Sequence, residues 1–308
     1  MLTEKIKDIF RPLYRQWERV EMSLLWHISP RRLADYHYRR CYHRALNWEH
    51  PRDIDEKINW LKFNTDVSRW VTLADKYRVR PYVEQCGLGD MLVSLYGRWD
   101  HAEEIDWNAL PERFVMKTNN GSGDVLICRD KSKLDTTLWT RRFHNLLNLK
   151  FGLDRAEPHY VQMPPCIVAE ELLDCTKQSV VSSSLIDYKI WSFDGRPAYI
   201  WVCFNRTHHS CEVMTYDLDW NAHPEYCVDR DHYKVTHTAV PRPVSLDRMI
   251  DAAARLSKGF PVVRVDLYEV DGKPYFGEMT FTPAAGFNYF YSQEFLNRLG
   301  DLAEIGMK

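Results

Sequence analysis

The chain has 308 residues, 45% of them hydrophobic and 27% charged, with a formal net charge of −2. That length buries a sizeable core and leaves room for two or three subdomains. The near-neutral charge excludes a whole-chain electrostatic case for nucleic-acid binding, no apolar run reaches the length of a membrane span, and eight cysteines without a C-x-x-C pair predict reduced, packed thiols in a cytosolic protein. Charges interrupt the N-terminal residues throughout, which predicts no secretory leader there.

Residues 4–26 carry Ile6, Ile9, Phe10, Leu13, Trp17, Val20, Leu24 and Leu25 at near-helical spacing. Lys5, Lys7, Arg11, Arg15 and Arg19 mark a basic polar side. Such a helix suits peripheral contact with an anionic membrane. Glu4, Asp8, Glu18 and Glu21 nearly cancel the charge, which favours packing on the domain or on a partner. Residues 31–50 are rich in Arg, His and Tyr and fit either an anion-binding surface or a solvated helix face. Helices are predicted over 54–64 and 66–78, the second capped by Asp66, followed by a strand over Met91–Tyr96. This helix–helix–strand order is compatible with an α/β unit.

From residue 113 the texture changes. Strands are predicted over 113–118 and 125–128, joined by the turn-rich Asn119-Asn120-Gly121-Ser122-Gly123-Asp124, then a helix over 134–150 and a strand over 166–171. Ile186–Phe193 and Pro197–Phe204 form a hairpin about Asp194-Gly195. Residues 205–241, polar and rich in His, Asp and Tyr, predict a long functional loop or lid. A helix over 245–258 leads into a second hairpin, Val263–Tyr268 and Lys273–Thr280, turning at Asp271-Gly272.

That last hairpin carries the most chemistry. Asp266 and Glu278 each interrupt an apolar strand, and a buried carboxylate is costly unless paired or metal-bound. Two across a hairpin make a seat for Mg²⁺, with Arg264 beside them for a phosphate. Lys117 precedes the glycine loop, whose amides can cradle phosphate. The loop fits neither a Walker pattern nor strand–GxGxxG–helix, and by itself Asn-Gly-Ser-Gly also makes a plain hairpin turn. Glu170 and Glu171 end an apolar strand, either as nucleotide contacts or as surface charges. Asp187 and Lys189 share a strand face and can serve phosphates or pair with each other. His208, His209, Cys211, His223, Cys227, His232 and His237 match no standard zinc spacing. There is no G-x-S-x-G elbow, and Asp217-Leu218-Asp219 and Asp229-Arg230-Asp231 lie in polar sequence as weak sugar-nucleotide signals.

The order of these pieces resembles the ATP-grasp superfamily, and within it the TupA-like branch of polysaccharide-biosynthesis proteins. The phrases that carry the likeness are LADKYRVRPYV (73–83), FVMKTNNGSGDV (114–125), IVAEELL (167–173), DYKIWSFDGRP (187–197) and VRVDLYEVDGKPYFGEMTFTPAAGF (263–287), over roughly residues 35–300. The resemblance implies an α+β or α/β chain with the ATP-grasp fold. Its expected parts are an amphipathic extension (1–34), an N-terminal α/β domain (35–112), a lid subdomain with the glycine loop (113–172) and a C-terminal antiparallel-sheet subdomain with the metal site (173–308). It implies that Lys76 and Lys117 reach the nucleotide phosphates and that Gly121, Ser122 and Gly123 form the flap. Glu170, Glu171, Leu172 and Leu173 would form the adenine hinge, Asp187 would lie near the ribose, and Lys189 would contact phosphate. Arg264 would stabilise the transferred phosphoryl group, and Asp266, Glu278 and Thr280 would hold Mg²⁺. Thr280 departs from the family's usual Asn, and a hydroxyl is a weaker Mg²⁺ ligand than an amide oxygen.

The activity implied is an ATP- and Mg²⁺-dependent, ADP-forming carboxylate–amine ligase. Its substrates would be an acidic sugar or glycan, such as a uronic acid, and an amino acid or small amine. A sugar kinase on the same fold, and a non-catalytic nucleotide-binding component of a polysaccharide assembly complex, are the alternatives.

Overall fold

The computed structural model describes residues 20–121, 123–236 and 238–306. Two sheets organise the chain. The smaller has the order β1-β4-β2-β3, built from β1 (Leu95–Trp99), β2 (Phe114–Thr118), β3 (Val125–Cys128) and β4 (Ile167–Glu171), all antiparallel. The larger has the order β10-β9-β5-β6-β7-β8, from β5 (Asp187–Phe193), β6 (Arg196–Phe204), β7 (Cys211–Asp217), β8 (Tyr233–Val235), β9 (Val263–Val270) and β10 (Lys273–Thr280). Only the β7–β8 pair is parallel among the described residues.

Both expected hairpins form. Asp194-Gly195 and Asp271-Gly272 each place two successive residues at positive φ, the backbone twist that closes a two-residue hairpin. The helices are α1 (Pro30–Tyr42), α2 (Ile54–Asn64), α3 (Ser68–Leu73), α4 (Arg80–Gln85), α5 (Thr136–Leu147), α6 (Pro158–Gln162), α7 (Leu246–Ser257) and α8 (Gln293–Leu302). Side-chain caps start several of them: Ser29 for α1, Asp53 for α2, Asp135 for α5 and Ser292 for α8. α7 buries Leu246, Met249, Ala252, Ala253 and Leu256 against the large sheet, a stripe at helical spacing. α5 covers the small sheet through Phe143. A small apolar cluster of Val93, Leu173 and Val270, with Leu185, Tyr268 and Tyr275 against it, joins the segments flanking β1 and β4 of the small sheet to β9 and β10 of the large one.

Three expectations change. The strand expected at Met91–Tyr96 lies at Leu95–Trp99, because Gly89–Met91 closes a 3₁₀ turn with Met91 in the main core and Val93 packs in the inter-sheet cluster. The residues that pair with β4 are the less apolar ones that follow. The helix expected over 66–78 ends at Leu73 and starts from Val67, since Asp66 bonds the Ser68 amide and hydroxyl as a local turn. Beyond it, the buried Asp75 carboxylate captures the amides of Tyr77 (2.8 Å) and Arg78 (2.9 Å), which diverts the backbone from helix. Residues 205–241 are not a continuous loop. β7 buries Cys211, Val213, Met214, Thr215 and Tyr216 inside the sheet, and its Cys, Glu and Asp disguise a strand in the composition.

Residues 20–28 are helical. Met22 is buried, and Leu25 and Trp26 pack with Leu33 and Tyr38 of α1, while Val20, Leu24 and Ile28 are exposed. Residues 4–19 of the amphipathic segment lie outside the described residues, as do Ser122 and His237. All eight cysteines are unpaired, and five are buried. Among the described residues no helix is long and apolar enough to cross a membrane, and no three His, Cys, Asp or Glu side chains group as a metal cage.

Candidate functional site

The site grows from the middle of the large sheet. Strand register places Asp266 of β9 opposite Lys189 of β5 on one side and Glu278 of β10 on the other. Thr280 stands opposite Arg264. Cross-strand neighbours on one face interact directly, and here they form an ionic row. Lys189 Nζ lies 2.5 Å from Asp266 Oδ2 and 3.4 Å from Asp187 Oδ1. Arg264 donates Nε to Asp266 Oδ1 at 2.7 Å and Nη2 to Oδ2 at 2.8 Å, and Nη2 also lies 3.4 Å from Thr280 Oγ1. The Thr280 hydroxyl donates to Glu278 Oε1 at 3.2 Å. Asp266 is 1% exposed. Its charge is tolerable there because two cations satisfy it.

Electrostatics follow the geometry. Burial alone would raise the Glu278 carboxyl, but Lys76, Lys189, Arg264 and the Thr280 hydroxyl outweigh it and hold the group down at about 2. Burial would lower Lys189, and Asp187 and Asp266 overcome that and raise it. Arg264 is likewise raised, against its burial, by Asp266 and Glu278. These groups stay ionised across the physiological range.

A second wall comes from the segment after α3 and from the glycine loop. Lys76 Nζ donates to the Gly121 carbonyl at 2.9 Å and lies 3.5 Å from Glu278 Oε2. The loop is held in place by Asn119, whose amide side chain bonds Asp75 (2.7 Å) and whose oxygen accepts from the Cys166 amide (2.7 Å). Gly121 faces the cavity, and Gly123 is exposed with φ +91°.

Lys76, Gly121, Lys189, Arg264, Glu278 and Thr280 thus meet on one cavity of about 780 Å³. Lys117, Glu170, Glu171, Leu172, Leu173, Asp187 and Asp266 do not line it. Lys117 pairs with Glu170 at 2.6 Å on the small sheet, with Arg80 3.8 Å from the same carboxylate. Glu171 accepts from the Ser94 hydroxyl at 2.8 Å. Leu172 is half-buried and follows β4, and Leu173 packs in the inter-sheet cluster. Asp187 pairs with Lys189 and, at 2.5 Å, with Arg206.

Several cavity residues escaped the sequence reading. Arg206 follows β6 in a stretch read as loop, and its partner Asp187 lies across the β5–β6 hairpin. Glu157 is buried beside the cavity, where its Oε1 accepts the Thr282 hydroxyl at 2.5 Å. Burial pushes Glu157 up to about 7, against the lowering effect of Thr282 and Lys62. Tyr160, Tyr289 and Phe290 add to the wall. Nothing in their local sequence separates them from core aromatics.

No curated protein matches the chain. Among solved structures it is similar to the D-alanine–D-alanine ligase of Bacillus anthracis, with 16% identity, 75% of this chain and 67% of that one covered and a TM-score of 0.43. It is also similar to the D-alanine–D-alanine ligase of Helicobacter pylori, with 12% identity, 81% and 66% covered and a TM-score of 0.42. The phosphoribosylamine–glycine ligase of Thermotoga maritima matches at 13% identity, 71% and 52% covered, with a TM-score of 0.36. The chain spans about two-thirds of the length of the D-alanine–D-alanine ligases it matches. The family described as TupA-like ATPgrasp matches residues 56–304, a span that includes every site residue named above and most of the chain. The chain belongs to the TupA-like ATP-grasp family.

Proposed function

We propose that the protein is an ATP- and Mg²⁺-dependent, ADP-forming ligase that joins a carboxylate to an amine in surface-polysaccharide assembly. The acid would be an acidic sugar such as a uronic acid, and the amine an amino acid or small amine. The observation that carries the reading is the convergence of Lys76, Lys189 and Arg264, at the wall of one cavity, on Glu278 in that wall and Asp266 just behind it.

The donor set suits a hard divalent cation, because Asp266, Glu278 and Thr280 offer only oxygens. Oδ1 of Asp266 accepts one hydrogen bond, and Oε2 of Glu278 meets its nearest cation only at 3.5 Å, so each retains capacity for another partner. When bound there, Mg²⁺ would neutralise charge on the β- and γ-phosphates. The chain's own residues do the rest. Asp266 grips Arg264 through two bonds and presents its guanidinium preorganised toward developing phosphoryl charge. Lys189, held by Asp187 and Asp266, and Lys76, held by the Gly121 carbonyl, supply two further fixed cations. Lys117, paired to Glu170 on the small sheet, would meet the phosphates nearer the base, and the apolar cluster around Leu173 and Tyr268 would take adenine. The glycine loop would close over the phosphates and exclude water from a labile acyl phosphate. Val20 and Leu24 of the 4–26 segment, with Ile28 just beyond it, are exposed apolar residues and support contact with a membrane surface as part of this reading.

The test is ADP release with ATP, Mg²⁺ and panels of uronic acids and amines. Asp266→Asn and Glu278→Gln are each expected to lower turnover by about 10²–10³-fold, the range for removing a transition-state charge contact. Full turnover in both variants would refute the site, and AMP in place of ADP would refute the chemistry.

A further inference from the structure

The cavity is larger and more basic than a triphosphate site requires. The hinge residues Glu170 to Leu173 lie outside it, so its volume of about 780 Å³ is left for phosphates and acceptor, and that volume is ample for a second ligand. Six Lys or Arg side chains line it against three Asp or Glu. Four of the six cations have carboxylate partners: Lys76 with Glu278, Lys189 and Arg264 with Asp266, and Arg206 with Asp187. The other two, Lys150 and Arg155, are exposed, and their side chains make no hydrogen bond or ion pair with any described residue.

These two cations are displayed by a built turn. Gly152 is buried at φ +85°, where a Cβ would lie 2.8 Å from the Tyr160 Cβ. The Glu157 amide donates to the Gly152 carbonyl at 2.9 Å, and the Leu153 amide donates to the Lys150 carbonyl at 3.3 Å. A His37 ring nitrogen on α1 contacts the Asp154 carbonyl at 2.7 Å. The neighbouring wall is aromatic and equally fixed. Trp201 stacks on Phe290 at 4.5 Å, and Tyr233 packs against both. Tyr289 is 41% exposed, its carbonyl clamped by Arg230 at 3.0 and 2.6 Å. Aromatic faces that line the same cavity as two unpaired cations suit a ring that is apolar on one side and anionic at its edge.

We propose that this half of the cavity is an acceptor subsite for a sugar bearing a second anionic group, a phosphate ester, besides the carboxylate to be activated. Lys150 and Arg155 hold the second anion, and the ring rests on Tyr233, Tyr289 and Phe290. The assignment of the carboxylate rests on the ligase reading above. Two probes separate the contributions: D-glucuronic acid, with one anionic group, and D-glucuronic acid 1-phosphate, with two. Binding is measured by calorimetry on the full chain with Mg²⁺ and a non-hydrolysable ATP analogue. The 1-phosphate is expected to bind at least about tenfold tighter. Arg155→Ala is expected to remove most of that preference while glucuronic acid and the nucleotide analogue bind as before, and Arg155→Lys to retain part of it. Equal binding of the two probes, an undiminished preference in Arg155→Ala, or no binding of either overturns the subsite. Displacement of the 1-phosphate by inorganic phosphate at equal concentration would overturn the sugar part. The phosphate preference with no ADP release from any acid and amine would sink the ligase reading and leave the subsite standing.

Discussion

Asp266 and Glu278 were conspicuous in the sequence because each interrupts an apolar strand, and both prove to be held by cations drawn from other elements. Glu157 was not conspicuous, yet burial pushes this cavity carboxyl up toward neutrality. Its sign is opposite to that of Glu278. Burial raises the folded-state value of Glu157 from the ordinary 4.5 to about 7, so the native state holds its proton more tightly than the unfolded chain. Its stabilising contribution is complete below 4.5 and is lost as pH rises through about 7. Buried Asp55, raised to about 7 from 3.8 by burial and by Asp53, acts in the same direction. Urea unfolding of wild type from pH 5 to pH 8 is therefore expected to show declining stability. Glu157→Gln should flatten that decline, and an unchanged slope would show that Glu157 does not titrate there. The same residues show how much of the site was legible. A carboxylate set among valines stands out in one dimension, whereas Glu157 and Arg206 matter only through what folds against them.

α2 shows a polar pattern that an amphipathic reading misses. Ile54, Ile58 and Leu61 face the main core, while Asp55, Asn59 and Lys62 are also buried, at spacings that align them on a second face. This polar row holds the segment after β10. Lys62 Nζ donates to the Ala285 carbonyl at 3.0 Å, Asn59 to the Gly286 carbonyl at 2.8 Å, and Asp55 accepts the Asn288 amide at 2.7 Å. The segment needs holding, because Ala284 and Ala285 both sit at positive φ, a strained backbone for residues with a Cβ. Burial pushes Lys62 down to about 8, against Glu157 and Asp55. Lys62→Met removes a donor from a buried carbonyl and is expected to cost about 1–3 kcal/mol of unfolding free energy by urea titration. It should also weaken acceptor binding, since Ala284, Ala285 and Thr282 line the cavity. A stability loss with acceptor affinity intact would separate the two roles. The helix itself was legible from 54 to 64, but its function as a polar clamp was not, since its partners lie more than 220 residues away.

On the scale of the molecule, the proposed nucleotide site draws on both sheets. The large sheet brings Lys189, Arg264, Glu278 and Thr280; the small sheet brings Lys117 and Glu170, with the glycine loop between its strands β2 and β3. A ligand bridging them ties the subdomains together and stabilises the folded state by mass action, by about 2.7 kcal/mol at a hundredfold excess over Kd. A non-hydrolysable ATP analogue with Mg²⁺ is thus expected to raise the melting temperature by several degrees. Asp266→Asn should abolish the Mg²⁺-dependent part, and an unaltered shift in that variant would argue that the metal sits elsewhere. The sequence by itself determined the hairpins, most helices, the family and the charged residues that form the ionic row, because these depend on local periodicity, turn chemistry and charges out of place in apolar strands. Only the tertiary structure decided that 205–241 supplies two strands, that Asp266 is locked between Lys189 and Arg264, and that Lys150 and Arg155 share a cavity with an aromatic wall. Those outcomes rest on strand register and packing between distant segments, where each side chain's environment is set by residues that sequence proximity does not reveal.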